Sequence, residues 1–308
     1  GQTGHLRLCS KPRFTVRFGC RLVHFTPWRL CFGFSSMHDS ECMNFLQRTL
    51  PRMGMRWKGF RRVRAQVCKR LGRRLEELGI NGVDSYTSFL EQNPGEWERL
   101  RFLCRVTISS FYRDRAVFDA LRSQVLPALA ASAGEGGRSS LRCMCAGCAS
   151  GEEVYTLKIL EQQCQKEDSL ALPMEIVATD IDPEMLQRAE RATYSKSSLK
   201  TLPREWLEEA FDQEDDTFQV KVRFRDRILW LRQDIQEETP PGPFDLVLCR
   251  NLVFTYLDLP LQRDILDRLA SVLREGGALV IGKQESLPQG ARHFSPWLAN
   301  LRVYRRQT

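Results

Sequence analysis

Leu141-Arg-Cys-Met-Cys-Ala-Gly-Cys-Ala-Ser-Gly151 is the segment from which the fold class of this chain is inferred. Leu141 to Ala146 have the length and composition of a short buried strand, and the small residues that follow predict a turn. A helix is expected to begin near Glu152. Small side chains in such a turn allow a ligand to approach the backbone. Because many strand-to-helix turns contain glycine, this turn alone is a weak functional signal.

The alternation of strand and helix continues towards the C-terminus. The predicted elements are strands at 175–179, 244–249 and 278–281 and helices at 183–192 and 261–273, with Gly276-Gly277 closing the last helix. Strands that alternate with helices predict an α/β fold, in which helices cover both faces of a mostly parallel sheet. Ligands bind such sheets at the carboxyl ends of the strands.

Polar residues stand at two of these strand ends. An acid such as Asp180, at the end of the second strand, can accept hydrogen bonds from both hydroxyls of a ribose. Alternatively, Asp180 or Asp182 caps the next helix. Arg250 and Asn251 follow the strand 244–249 and are expected to face a cleft, although Arg250 also suits a structural ion pair.

The N-terminal half is predicted to be helical. Its apolar residues recur at spacings of three and four and mark one buried helix face; they are Phe60, Val63, Val67, Leu71, Leu75 and Leu78. Gly79 predicts the end of this helix. We expect a helical recognition domain over residues 51–131, a linker over 132–140 that is rich in Gly, Ser and Ala, and the sheet domain over 141–308.

Charge is divided unevenly along the chain. The 308 residues include 46 Lys and Arg and 38 Asp and Glu, a net charge of +8. Residues 1–140 contain 24 basic against 11 acidic residues, a net of +13, and residues 141–308 contain 22 against 27, a net of −5. Nine basic residues crowd the predicted helix 56–74, namely Arg56, Lys58, Arg61, Arg62, Arg64, Lys69, Arg70, Arg73 and Arg74. This face is either simply solvated or docks a negatively charged partner.

Residues 1–50 are interpreted as a basic leader that is disordered or poorly specified. Residues 1–37 contain no acid, which is typical of organelle transit peptides and also of disordered extensions. The sequence contains no run of about 18 apolar residues, so no membrane-spanning helix is predicted. We expect a cytoplasmic protein, with organelle targeting by residues 1–37 as the alternative.

Several kinds of chemistry are disfavoured. The chain has no Gly-x-x-x-x-Gly-Lys-Ser/Thr loop and only four histidines, which disfavours phosphate-loop hydrolases and histidine-dependent catalysis. Its eleven cysteines are expected to be mostly reduced and often buried. Cys143, Cys145 and Cys148 lack the further Cys or His pair of a zinc site, so no metal is expected.

Five ordered segments resemble the chemotaxis receptor methyltransferases, the CheR-type protein-glutamate O-methyltransferases. They are Val106-Thr-Ile-Ser-Ser-Phe-Tyr-Arg-Asp114, Ala146-Gly-Cys-Ala-Ser-Gly-Glu-Glu-Val-Tyr155, Ala178-Thr-Asp-Ile-Asp182, Phe244-Asp-Leu-Val-Leu-Cys-Arg-Asn251 and the segment 276–287. The resemblance spans roughly residues 56–287. It implies a class I methyltransferase domain, Rossmann-like and binding S-adenosylmethionine, joined to a helical N-terminal domain. It also implies a small antiparallel insertion, for which we expect Phe218–Trp230.

The resemblance assigns the contacts of the methionine end of the cofactor. Thr107, Ser109 and Arg113 would lie beside this end, with Arg113 paired to the carboxylate through a bidentate fork. Glu152 or Glu153 would face the ammonium group. The family usually has Asn at the position of Thr107 and Thr at the position of Ser109.

The remaining assignments concern the ribose, the adenine and the methyl acceptor. Asp180 would hold the ribose, and Asp234 and Ile235 would approach the adenine. Arg250 and Asn251 would border the methionine part and the acceptor channel. Tyr256 corresponds to the active-site tyrosine of the family, although the loop after Asn251 is one residue longer than usual. Tyr256 and Arg250 are the expected catalytic residues.

These assignments predict methyl transfer from S-adenosylmethionine to a glutamate on an acidic protein helix, as in a chemotaxis receptor. The acceptor helix would dock on the basic helix 56–74 of a protein that we expect to be a monomer. One alternative keeps the cofactor and methylates a small molecule or a nucleic acid, although aromatic residues are not interleaved with the basic helix in a stacking pattern. The other alternative is a degenerate cofactor-binding module without catalysis.

Overall fold

The computed structural model describes residues 38–307. The predictions made for residues 1–37 therefore lie outside the described residues. The end of the expected leader is helical, because α1 spans Asp39–Thr49 and its Phe45 and Leu46 are fully buried. No helix of the described chain is long and apolar enough to cross a bilayer.

Beyond α1, the described chain contains helices of two to four turns and several shorter ones. They are α2 (Trp57–Phe60), α3 (Arg64–Leu78), α4 (Val83–Gln92), α5 (Pro94–Leu103), α6 (Arg115–Ala120), α7 (Leu126–Glu135), α8 (Glu152–Lys166), α9 (Pro183–Arg191), α10 (Arg204–Ala210), α11 (Val253–Tyr256) and α12 (Leu259–Val272). The strands are β1 (Leu141–Ala146), β2 (Met174–Asp180), β3 (Thr193–Ser195), β4 (Phe211–Glu214), β5 (Thr217–Val220), β6 (Ile228–Arg232), β7 (Phe244–Cys249), β8 (Leu273–Ile281), β9 (Phe294–Leu298) and β10 (Val303–Arg306).

The main sheet has the strand order β6-β2-β1-β7-β8-β10-β9. Its first five strands are parallel, and β10 and β9 close the edge in antiparallel pairing. Between β1 and β7 the chain connections lead away in opposite directions, so a crevice opens there at the carboxyl ends of the strands. The predicted α/β class with a mostly parallel sheet is confirmed.

Helices cover both faces of this sheet. Cys143 and Cys145 of β1 belong to one apolar cluster, and Met144 and Ala146 belong to another, because successive strand residues point to opposite faces. The first cluster includes residues of α6 to α10, and the second includes residues of α1 to α5, α11 and α12. The N-terminal helices and one face of the sheet thus share a single apolar core.

The small antiparallel insertion is present but its predicted position was wrong. It consists of β3, β5 and β4 and lies over residues 193–220. Phe218 belongs to its central strand, whereas Trp230 lies in β6 at the edge of the main sheet. Short strands with one exposed face carry little apolar signal, which explains the misplacement.

Several predicted ends of helices, and the predicted linker, differ from those in the structure. The basic helix is divided between α2 and α3, and Gly79 ends α3 in the left-handed region with φ +65°. Gly276 and Gly277 lie inside β8 and do not end α12. A Cβ on Gly277 would lie 2.8 Å from the carbonyl oxygen of Arg274 in the same strand and 3.0 Å from that of Asp245 in β7, so these two backbone contacts together favour glycine there. Helix α7 extends into the predicted linker, and the division into domains stays a prediction.

A disulfide between Cys42 and Cys68 joins α1 to α3, with the Cα atoms 5.9 Å apart. This pair was not predicted. The other six cysteines of the described chain are free and buried, as expected for a mostly reduced set.

A buried carboxylate ties the N-terminal helices together. Glu96 of α5 accepts two hydrogen bonds from Arg74 of α3, at 2.9 and 2.8 Å, and one from the hydroxyl of Tyr86 at 2.8 Å. The hydrogen bonds from Arg74 hold the pKa of Glu96 below its usual value. A depressed pKa in the folded state means that the ionised carboxylate stabilises the fold above the pKa of the unfolded chain.

We predict that Glu96→Gln lowers the free energy of unfolding at pH 7 by about 1–3 kcal/mol, because a charged hydrogen-bond acceptor is lost from a buried site. The difference from the unchanged protein should shrink as the pH falls below about 4.3, where the unfolded carboxyl protonates. Urea unfolding followed by circular dichroism between pH 7 and pH 3 measures both effects. The control is Glu91→Gln, since the pair of Glu91 with Arg52 is exposed and contributes little. Equal stability of the two variants at pH 7 contradicts the prediction.

Candidate functional site

A cavity opens at the carboxyl ends of β1, β2, β6 and β7. Ten of the eleven predicted site residues line it, namely Thr107, Ser109, Arg113, Glu153, Asp180, Asp234, Ile235, Arg250, Asn251 and Tyr256. The structure thus brings together residues that lie up to about 150 positions apart in the sequence. Their individual roles stay predictions. Within residues 38–307, no group of three or more His, Cys, Asp or Glu residues is arranged to hold a metal ion.

The turn after β1 forms the floor of the cavity. Gly147 has φ +67°, and a Cβ built on it would lie 2.5 Å from Cδ2 of Leu252. Glycine is therefore favoured by the left-handed conformation of the turn, and its lack of a side chain lets Leu252 from the loop after β7 pack against it. The backbone N–H of Ala149 points from this turn to Asp180 and donates to its Oδ2 at 2.9 Å.

The carboxylate of Asp180 lies at the cavity and does not cap α9. The cap is Asp182, whose side chain accepts from the N–H of Glu184 at 2.9 Å. Asp180 accepts from the backbone N–H groups of Ala149 and Asp182. Burial raises the pKa of Asp180, and these two hydrogen bonds oppose the rise. Each carboxylate oxygen keeps a lone pair for a further donor, as the two hydroxyls of a ribose require.

The segment after β6 forms the next wall. Ile235 is buried, and Asp234 accepts from the N–H of Gln236 at 2.9 Å. Gln233 also lines the cavity, and its buried Oε1 has no hydrogen-bond partner. An unpaired acceptor beside an apolar side chain fits a flat base with an exocyclic amino group. Gln233 was missed by the sequence analysis, although it directly precedes Asp234.

Arg250 is the most enclosed charge of the site, with 2% of its side chain exposed. Its Nη1 donates to Glu153 at 2.7 Å, and its Nη2 donates to Asp114 at 2.7 Å and to the carbonyl oxygen of Arg113 at 3.0 Å. Its guanidinium also lies 5.0 Å from the ring centre of Phe118. These contacts favour a positioning role for Arg250 over direct contact with the methyl acceptor. Asp114 was not predicted as a site residue.

The two glutamates at the start of α8 differ in environment. Glu153 lines the cavity, whereas Glu152 does not. Glu152 is buried and accepts from the hydroxyl of Ser150 at 2.9 Å. Of the two predicted alternatives, Glu153 is therefore placed to face a ligand.

The buried carboxylate of Glu285 organises the loop after β7. Glu285 accepts from the N–H of Asn251 at 2.9 Å, from the N–H of Gly282 at 2.5 Å and from the hydroxyl of Thr255 at 2.6 Å. Burial raises the pKa of Glu285, and these hydrogen bonds oppose the rise. Glu285 was not predicted as a site residue, although it is the single acid in the segment 276–287.

Tyr256 stands at the end of this loop, at the side of the cavity formed by the N-terminal helices. Burial raises the pKa of Tyr256, and the positive charge of Arg113 opposes the rise. The tyrosine hydroxyl therefore stays protonated at neutral pH and is available as a hydrogen-bond donor. Met55 and Phe60 line the same part of the cavity.

These observations fit S-adenosylmethionine. The unpaired Oε1 of Gln233 suits the adenine amino group, and the carboxylate of Asp180 suits the ribose hydroxyls. Glu153 and Arg113 line the same cavity and carry the negative and positive charges that the ammonium and carboxylate groups of a methionine end would require.

Comparisons with known proteins agree with this geometry. Residues 107–301 match the family model described as "CheR methyltransferase, SAM binding domain". A "Probable chemotaxis protein methyltransferase" from Rhizobium etli is 33% identical over 236 residues, which cover 74% of this chain and 86% of the relative. The "Chemotaxis protein methyltransferase" from Salmonella typhimurium is 31% identical over 243 residues and covers 75% and 79%. That from Borreliella burgdorferi is 28% identical over 226 residues and covers 72% and 80%.

We predict that Asp180→Asn weakens the binding of S-adenosylmethionine tenfold or more, because about 1.5–3 kcal/mol is lost with a charged hydrogen-bond acceptor. Isothermal titration calorimetry measures the dissociation constant. Asp212→Asn is the matched control, since Asp212 lies on β4 with 69% of its side chain exposed. An unchanged dissociation constant in Asp180→Asn, with the fold intact by circular dichroism, excludes the predicted role.

Proposed function

This chain belongs to the CheR methyltransferase family, and we propose that it transfers the methyl group of S-adenosylmethionine to a glutamate side chain of a chemoreceptor-like protein. The observation that carries the proposal is the cavity, which gathers ten predicted site residues within the matched S-adenosylmethionine-binding domain. The bond from the methyl carbon to sulfur would break as the bond to the carboxylate oxygen forms, which gives a glutamate methyl ester and S-adenosylhomocysteine.

S-Adenosylmethionine supplies an electrophilic methyl group on a sulfonium ion. The residues proposed to hold it are Asp180 for the ribose, Gln233 to Ile235 for the adenine, and Arg113 with Glu153 for the methionine end. Thr107, Ser109 and Asn251 line the same cavity and complete its walls.

The acceptor needs no general base. A glutamate side chain has an ordinary pKa of about 4.3 and is ionised at neutral pH. The side chains that line the cavity accordingly include no histidine among the residues that the structure describes. Catalysis then depends on alignment of the acceptor oxygen with the methyl group. The hydroxyl of Tyr256, which lines the cavity, would donate to the acceptor carboxylate and orient it.

The apolar side chains near Tyr256 support this chemistry. Met55, Phe60 and Leu257 line the cavity beside the tyrosine and are nearly fully buried. An apolar wall displaces water from an incoming carboxylate and strengthens the hydrogen bond that Tyr256 offers.

The basic helix pair α2–α3 supports docking of an acidic acceptor, but only part of its charge faces solvent. Arg56, Arg64, Arg70 and Arg74 make contacts within the protein. The five exposed basic residues are Lys58, Arg61, Arg62, Lys69 and Arg73. We refer to these five as the docking charges. They would steer an acidic helix towards the cavity.

Domain organisation and cellular context extend the proposal. Residues 51–131 would recognise the acceptor and residues 141–308 would bind most of the cofactor. A monomeric state and a cytoplasmic location stay predictions.

We predict that the purified protein transfers labelled methyl groups from S-adenosylmethionine to an acidic helical receptor fragment, and that mild base releases the label. Methyl esters hydrolyse readily in base, whereas methylated amines and nucleobases do not. Replacing the acceptor glutamates by alanine should abolish the label. A base-stable label instead indicates a small-molecule or nucleic-acid methyltransferase. Cofactor binding without transfer to any acceptor indicates a binding module.

We further predict that Arg62→Glu raises the KM for the receptor fragment about tenfold at low salt, with kcat nearly unchanged, because a docking charge changes sign without touching the reacting groups. The effect should shrink at 0.5 M NaCl, where surface charges are screened. The control is Arg263→Glu, which makes the same charge change at an exposed residue of α12. Equal KM values for both variants place the docking surface elsewhere.

A further inference from the structure

The segment Gly54–Phe60 forms a backbone bridge to the loop that carries Tyr256. The N–H of Arg56 donates to the carbonyl oxygen of Tyr256 at 2.8 Å, and the N–H of Asp258 donates to the carbonyl oxygen of Gly54 at 2.9 Å. Met55 and Leu257 form the antiparallel bridge between these bonds. The backbone of the tyrosine loop is thus held by a segment about 200 residues away in the sequence.

Arg56 reinforces the bridge with its side chain. Its Nε donates to the carbonyl oxygen of Thr255 at 3.1 Å, and its Nη2 donates to the carbonyl oxygen of Phe254. These carbonyl groups belong to α11, the short helix that ends in Tyr256. The cation therefore binds the end of the loop and is not one of the docking charges.

Gly59 permits the closest approach of the two segments. A Cβ built on Gly59 would overlap the carbonyl oxygen of Thr255, lie 3.0 Å from its carbonyl carbon and lie 3.1 Å from Cδ1 of Tyr256. The obstacle is backbone, which cannot rotate away as a side-chain end can. No other residue type fits at this position without displacing Thr255 and Tyr256.

Phe60 completes the contact on the ring of the tyrosine. Phe60 is 1% exposed, and its ring centre lies 5.1 Å from that of Tyr256 at an interplanar angle of 59°. On the opposite side of the loop, Glu285 accepts from Thr255 and from the N–H of Asn251. The loop is therefore held from the sheet side by Glu285 and from the N-terminal side by Gly59 and Phe60.

We propose that Gly59 and Phe60 are positioning residues that set the orientation of Tyr256 for methyl transfer. The inference rests on the proposed function, in which Tyr256 orients the acceptor carboxylate. Lys58 and Arg61 directly flank this pair in the sequence and belong to the docking charges. One turn of chain thus carries charges for the acceptor on its exposed side and holds the tyrosine with its buried side.

The first test compares Gly59→Ala with Gly95→Ala. A Cβ on Gly95 of α5 meets nothing within 4 Å, so this control should leave kcat unchanged and the fold at least as stable. Gly59→Ala should lower kcat for the receptor fragment tenfold or more, with the dissociation constant of S-adenosylmethionine within twofold of the unchanged protein. Unchanged kcat in Gly59→Ala overturns the proposal.

The second test combines Gly59→Ala with Tyr256→Phe. If Gly59 acts through the tyrosine, its replacement should cost tenfold in the unchanged background and less than twofold once the hydroxyl is absent. The same loss in both backgrounds would show a general structural effect and overturn the proposal. This comparison remains decisive even when Gly59→Ala is less stable.

The third measurement does not depend on turnover. Fluorine NMR of protein labelled with 3-fluorotyrosine gives one signal for each of the six tyrosines, and Tyr256→Phe identifies the signal of Tyr256. Gly59→Ala and Phe60→Leu should shift that signal, whereas Gly95→Ala should not. A signal that stays in place in both variants overturns the positioning role. Failure of the proposed function has a different signature, namely no base-labile product with the unchanged protein while the Tyr256 signal still shifts.

Discussion

The guanidinium of Arg250 lies where three distant chain segments meet, and its burial constrains all three. A buried cation is stable only when it is paired and hydrogen-bonded. Asp114, from the segment before α6, and Glu153, from the start of α8, supply the two carboxylates, and Arg250 itself follows β7. Loss of Arg250 would leave two neighbouring carboxylates without their shared cation, and loss of either carboxylate would leave the buried cation with a single partner. The walls of the cavity that are proposed to face the methionine end therefore depend on this one cluster.

The apolar core adds a second constraint, because it does not stop at the boundary between the helices and the sheet. Leu71 and Leu75 of α3 belong to the same cluster as Val247 of β7 and Ile281 of β8. A shared core transmits the placement of the N-terminal helices to the sheet edge. The helices that carry the docking charges and the loop that carries Tyr256 thus belong to one packed unit.

Local patterns in the sequence predicted the buried elements well. The strands β1 and β7 have the predicted bounds, because central parallel strands are apolar almost throughout. The antiparallel insertion was misplaced, since its strands have three or four residues and expose one face. Gln233 and Glu285 were not predicted as site residues, for a different reason. Their importance lies in an unpaired buried oxygen and in bonds to a loop about 30 residues away, and neither feature has a local signature.

The fold class, the family and the cofactor could be inferred from residue patterns alone, because they follow from short ordered segments and from the alternation of strands and helices. The three-dimensional structure was needed to show which of Glu152 and Glu153 faces the cavity, and which of the nine clustered basic residues face solvent. It alone placed Gly59 against Thr255, almost 200 positions away. The physical reason is that burial and close backbone contact arise between segments distant in the sequence, whereas residue patterns report only neighbours along the chain.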